Sequence, residues 1–181
     1  MNRREAVVAL GTIFAGTIFG AHRMMAGLAN SLAGGSGFSF SSDDLQLLDE
    51  IGETILPATA DSGGAKAVHI AEFMQEIVRD FYMPQERTAF AEGLQQIQTR
   101  SGANHGGRTF VQLSGSEREA VLLELEHLKP RPEGYTMLKQ LTVWGFFSSE
   151  IGATQARAHV PVPGRYEGCV TISPGTRAWA E

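Results

Sequence analysis

Residues 70–81, Ile70-Ala71-Glu72-Phe73-Met74-Gln75-Glu76-Ile77-Val78-Arg79-Asp80-Phe81, decide the fold class. Ile70, Phe73, Met74, Ile77, Val78 and Phe81 recur at three- and four-residue spacing and form one apolar stripe on a helix, while Glu72, Glu76, Arg79 and Asp80 fall off it. The same period extends in both directions. Upstream, Ser42 with Asp43 and Asp44 reads as a helix start, Leu45, Leu48, Ile51 and Ile55 continue it, and Leu56-Pro57 stops it. Residues 59–64 (TADSGG) are turn-formers and read as a loop. Downstream, Pro84 suits the first turn of a helix whose face is Phe90, Leu94 and Ile97, and residues 101–107 (SGANHGG) read as the loop after it. Residues 109–113 (TFVQL) are too short to assign as a strand. Ser116 with Glu119 predicts a capping box ahead of Val121, Leu122, Leu125 and Leu128, a helix that Lys129-Pro130-Arg131-Pro132 ends. A fifth apolar segment carries Met137, Leu138, Leu141, Trp144 and Phe147. The remaining residues are rich in Pro, Gly and β-branched types and show no helical period. The expected architecture is all-α: a small bundle of about five helices over residues 43–147, with a long extended C-terminal arm over 148–181.

Composition limits the function classes. The chain has 181 residues, 43% of them hydrophobic, which suits one globular domain plus a processed or flexible end. Fifteen basic residues against 20 acidic ones give a formal charge of -5, so no broad basic surface exists to hold a phosphate backbone. Nucleic acid is excluded as an expected partner. The charge is unevenly placed: through residue 40 only Arg3, Arg4, Glu5 and Arg23 are charged, a net of +2, which leaves -7 on residues 41–181.

Arg3 and Arg4 stand immediately before an apolar run at residues 6–21 (AVVALGTIFAGTIFGA), the anatomy of a twin-arginine export signal. As a helix that run spans about 24 Å, short of the ~30 Å hydrocarbon core, so a spanning anchor is the weaker alternative. General secretion and an arginine pair opening a buried helix are the others. Small residues allow a cut after Ala29 or after Ala33; the expected division is a signal peptide over 1–33 and a linker over 34–42. A twin-arginine signal commonly marks a protein that folds before export, often around a cofactor. No cofactor motif follows it in this chain.

The candidate catalytic constellations are weak. Glu124 and His127 lie at i, i+3 spacing, but no second such pair accompanies them, and the five histidines (His22, His69, His105, His127 and His159) are scattered. The Gly-rich stretches at 34–37 and 62–64 lack the Lys of a P-loop and read as turns. There is no Gly-x-Ser-x-Gly elbow. Asp49, Glu50 and Glu53 cluster on the first helix, where a solvated helix face is the commoner explanation than an acid/base pair. No catalytic, cofactor-binding or metal-binding residue is therefore nominated.

Cys169 is the sole cysteine. In an exported chain an odd cysteine pairs outside its own chain or remains a buried free thiol behaving as a small hydrophobe; the residues alone leave both open. The segment around it holds Arg165, Tyr166 and Trp179 among prolines and glycines. Such a stretch is better stabilised by wrapping over a larger surface, where aromatic and Arg side chains commonly carry binding, than by its own small core. A coil covering its own helices is the alternative. The expected partner interface comprises Cys169, Trp144, Phe147, Arg165, Tyr166 and Trp179.

Three stretches resemble the small subunit, subunit 3, of gluconate 2-dehydrogenase and its relatives: residues 47–59 (LLDEIGETILPAT), 144–155 (WGFFSSEIGATQ) and 161–169 (PVPGRYEGC). The last two runs are the more specific. The resemblance implies a non-catalytic subunit of a periplasmic sugar or polyol dehydrogenase complex of the gluconate, glucose, sorbitol or fructose type. In such complexes a large flavoprotein of the glucose-methanol-choline type holds FAD and oxidises the sugar. The small subunit supports the folding and stability of that flavoprotein and supplies its twin-arginine signal. The resemblance further implies that Cys169 pairs with the catalytic subunit, and that the complex sits at the periplasmic side of the inner membrane. It leaves open whether a multihaem cytochrome c subunit, carrying haem c, completes the complex. A free-standing periplasmic helical enzyme and a binding protein tethered by its leader are the rival readings.

Overall fold

The computed structural model describes residues 39–160, 162, 164, 169, 171 and 173–180. Five α-helices lie among them: α1 (Ser42–Ile55), α2 (Ile70–Phe81), α3 (Pro84–Asn104), α4 (Gly115–His127) and α5 (Glu133–Ser148). Two 3-10 turns, Ala65–Val68 and Phe110–Gln112, and one π-helical turn, Gly152–Ala156, complete the helical part. The expected all-α class is what the structure shows. No helix among the described residues is long and apolar enough to cross a membrane.

Helices α1, α3 and α4 start with capping boxes, in which a carboxylate three residues on takes up the cap residue's N–H. For α1 the cap is Ser41, one residue earlier than expected: its hydroxyl accepts from Asp44 N at 3.2 Å, and the Asp44 carboxylate accepts from Ser41 N at 3.1 Å. Pro84 occupies the first turn of α3, and Glu86 accepts from Met83 N at 2.9 Å. The sequence around α4 contains two overlapping Ser-x-x-Glu runs. The first, Ser114 with Glu117, forms the box, because Arg108 holds the Glu117 carboxylate as well; the expected pair of Ser116 and Glu119 does not cap. The short TFVQL stretch forms the 3-10 turn at Phe110–Gln112, and α3 runs on to Asn104, into the residues expected as a loop.

Within the stripe that opened the reading, Ile70, Met74 and Val78 have no exposed surface, whereas Phe73 and Ile77 are partly buried at its margins. Leu48 and Ile51 of α1, Phe90 and Ile97 of α3, Leu125 of α4, and Leu138 and Leu141 of α5 close the same core. Helix α5 touches α1, α2 and α3. Its approach to α3 is backbone to backbone: a Cβ on Gly93 would stand 2.6 Å from Gly134 C and 2.8 Å from Gly134 Cα, so neither position has room for a side chain.

A long extended arm over residues 148–181 is not confirmed. Helical backbone continues through the π-turn to Ala156, and β1 (Ala158–His159) then pairs in parallel with β2 (Trp179–Ala180), Ala158 opposite Trp179 and His159 opposite Ala180. The tail therefore ends where it began.

Candidate functional site

Two of the three sequence stretches singled out above meet at one junction, built by side chains that reach across long sequence separations. The loop over residues 57–64 leaves α1 and is bracketed by Glu53, whose carboxylate accepts from Ala58 N at 2.9 Å and from Lys66 N at 3.0 Å. Thr59 and Ser62 close the turn between them, Thr59 N donating to Ser62 O at 2.8 Å. Gly64 is required at the base: a Cβ there would lie 2.5 Å from Ala58 N and would strike the Glu53 carboxylate. From 92 residues further along, Gln155 Oε1 accepts from Gly63 N at 3.1 Å and fastens the loop to the π-turn.

The π-turn has its own local logic. The Ser149 hydroxyl donates to Phe146 O at 2.6 Å and accepts from Gly152 N at 3.0 Å, which supplies the cap that starts the turn. A Cβ on Gly152 would stand 2.8 Å from Phe146 C and 2.9 Å from Phe147 Cα, so only glycine lets the turn fold back on the end of α5. Arg157 N closes it by donating to Gly152 O at 3.1 Å. The Arg157 guanidinium then lies over the Phe147 ring, 5.6 Å from its centroid, with Nη2 donating to Phe147 O.

The expected interface residues divide at this junction. Trp144 is partly buried and meets Phe73 edge to face at 5.2 Å, so its ring helps pack α5 on α2. Phe147 is partly buried beneath Arg157. Trp179 is 60% exposed on β2, and Cys169 is an exposed free thiol. Arg165 and Tyr166 lie outside the described residues, as do Arg3 and Arg4.

The acidic residues on α1 each hold a neighbouring element. Asp49 accepts from Ala71 N at 3.3 Å and so serves α2, whose cap residue His69 gives no side-chain bond; burial raises the Asp49 pKa above its ordinary value, and the Ala71 bond opposes this. Glu50 binds Lys66 Nζ at 2.6 Å and also Arg118, and Glu53 holds the loop. Glu124 pairs with Arg100 and accepts from Asn104 Nδ2 at 2.9 Å, away from any metal-like arrangement with His127. Among the described residues no group of three or more His, Cys, Asp or Glu side chains is disposed to hold a metal ion.

Glu53, Gln155 and Arg157 carry this junction; the sequence alone nominates neither Gln155 nor Arg157, and it marks Glu53 only as one of an acidic cluster. Their partners are backbone groups and a ring that no local period reveals.

The sequence profile of gluconate 2-dehydrogenase subunit 3 matches residues 42–164, from the first residue of α1 to beyond β1. The chain belongs to the gluconate 2-dehydrogenase subunit 3 family. No curated protein and no solved structure matches it. The subunit 3 match takes in the bracketed loop, the π-turn and Arg157, so the junction lies wholly within the part of the chain that defines the family.

Proposed function

We propose that this chain is the small, non-catalytic subunit of a periplasmic FAD-dependent sugar or polyol dehydrogenase. It binds the flavoprotein catalytic subunit, supports its folding and stability, and carries it across the inner membrane by the twin-arginine route. The family match over residues 42–164 carries this reading. The Arg3-Arg4 pair ahead of an apolar run supports the export role, since that route accepts folded cargo. FAD belongs to the partner, and haem c to a cytochrome subunit where the complex has one. The exposed Cys169 thiol supports a disulfide to the catalytic subunit, formed in an oxidising compartment. Membrane association is indirect, through the complex.

Isolation of the chain from its native envelope fraction under thiol-blocking, non-reducing conditions tests the reading. A flavin-bearing partner is expected to co-purify, and its release on reduction alone identifies the disulfide. A lone, colourless chain overturns the subunit assignment. Arg3→Lys with Arg4→Lys is expected to strand both polypeptides in the cytoplasm; normal periplasmic dehydrogenase activity in that variant removes the escort role.

A further inference from the structure

Arg157 stands apart from the other arginines of the described residues. Arg79 pairs with Asp80, Arg100 with Glu124, Arg108 with Glu117, Arg118 with Glu50 and Arg131 with Glu126. Arg87 donates to the carbonyls of Val78 and Arg79. Arg177 is exposed to solvent. Arg157 is partly buried and has no carboxylate partner among the described residues. Its Nε is the buried side-chain polar atom left without a hydrogen bond there, and its one bond is from Nη2 to the Phe147 carbonyl. A partly desolvated cation without a counter-charge is costly, and a chain with net charge -5 is not short of carboxylates to supply one.

The group is also held in place. Its own N–H closes the π-turn, the Phe147 ring lies against its face at 5.6 Å, and β1 begins at the next residue. Exposed apolar side chains gather on the elements that meet here. Val143 sits one turn before Phe147 on α5 and is 39% exposed; Val160, directly after β1, is 36% exposed; Trp179 lies on β2 in register with Ala158. Arg and Trp are among the side chains that dominate binding energy at protein interfaces, and fixing the arginine beforehand lowers the entropy lost on binding.

We infer that Arg157 is the docking residue for an Asp or Glu side chain of the dehydrogenase catalytic subunit, which supplies the counter-charge that no described residue of this chain provides. The inference rests on the subunit assignment proposed above. It commits the interface to a carboxylate seated on Arg157, with the exposed Val143, Val160 and Trp179 on or directly after the neighbouring elements α5, β1 and β2.

The experiment uses the full chain co-expressed with its catalytic subunit. Wild-type chain is expected to bind with an affinity that falls as salt rises. Arg157→Met, which keeps the apolar stem, is expected to bind at least about tenfold more weakly and with a flatter salt dependence. In Arg157→Lys the introduced amine is treated with a zero-length carbodiimide. An amide between position 157 and an Asp or Glu of the catalytic subunit, mapped by mass spectrometry, is the expected product; it reads the contact directly even where Arg157→Met folds poorly. Unchanged affinity and salt slope in Arg157→Met overturns the inference and leaves the subunit assignment standing, as does coupling of other lysines to the partner with none at position 157. Failure of the wild-type chain to bind any flavoprotein overturns the assignment and this inference with it.

Discussion

The Arg118 guanidinium of α4 pairs with the Glu50 carboxylate of α1, 68 residues earlier in the chain. The same guanidinium donates through Nε to Phe110 O at 3.1 Å and through Nη2 to Val111 O at 2.6 Å, and it lies 5.8 Å from the Phe110 ring centroid. One planar group thus joins α1, α4 and the 3-10 turn between α3 and α4. Both side chains are largely covered, at 18% and 14% exposure, so solvent screens the pair only partly.

Arg118→Met is expected to lower unfolding free energy by about 2 kcal/mol, since it removes the donor of Val111 O, one of the two donors of Phe110 O, and one of the two cations on Glu50. Arg118→Lys should recover little of this, because an ammonium cannot donate along three directions from one plane. Urea unfolding with an unchanged m-value checks both; a Lys variant as stable as wild type would show that charge alone matters.

Gly134→Ala is expected to cost about 2 kcal/mol or more, because its methyl would press on the backbone of α3 at Ala89 and Gly93, which no rotamer change relieves. Gly115→Ala serves as the counterpart. Nothing lies within 4 Å of a Cβ at that helical position, so it should raise stability by roughly 0.5–1 kcal/mol. Thermal midpoints that move in the same direction for both variants would refute the distinction.

Acid stability should depend on Glu117. The Arg108 hydrogen bond, followed by those from Ser114, holds its pKa at about 2, below the ordinary 4.5. The group therefore adds stability that is complete above pH 4.5 and is lost as pH falls toward 2. Glu117→Gln should flatten the stability profile across that window. Asp49, whose pKa burial raises, works in the opposite sense: its contribution falls as pH rises through the raised value, so Asp49→Asn should be tolerated best at neutral pH. Chemical denaturation across an acid series reads both slopes.

His69 joins the first 3-10 turn to α2 with φ of 54°, in the left-handed region. His69→Gly removes the Cβ contact that penalises this conformation and should stabilise the fold by about 1 kcal/mol. A destabilised glycine variant would show that the imidazole makes a compensating contribution, with Glu72 at 3.8 Å the nearest charge.

The parts of the fold legible in sequence are those fixed within one or two helical turns. The stripe of Ile70, Met74 and Val78, the stop at Leu56-Pro57 and the Pro84 start all follow from spacing and from the two residues that cannot continue a helix. Where two local solutions competed, as at Ser114 and Ser116, the choice went to the one that a distant group, Arg108, also held. The π-turn was hidden because its i→i+5 bonds depend on Gly152 sliding under Phe146, a contact without periodicity. Of the site, Phe147 and Trp179 could be named from residue type. The roles of Glu53, Gln155 and Arg157 could not be read, because they exist only once the ends of α1 and α5 have come together.

The pairing of β1 with β2 turns the tail into a leash of fixed length. Cys169 stands ten residues after His159 and ten before Trp179, so it can be drawn no more than roughly 35 Å from the clamp, whichever way the chain runs. Under the disulfide proposed above, the partner cysteine would lie inside that radius. An affinity tag fused after Glu181 would begin three residues beyond Trp179, and a tag that loosened the clamp would lengthen the leash and widen the radius open to Cys169.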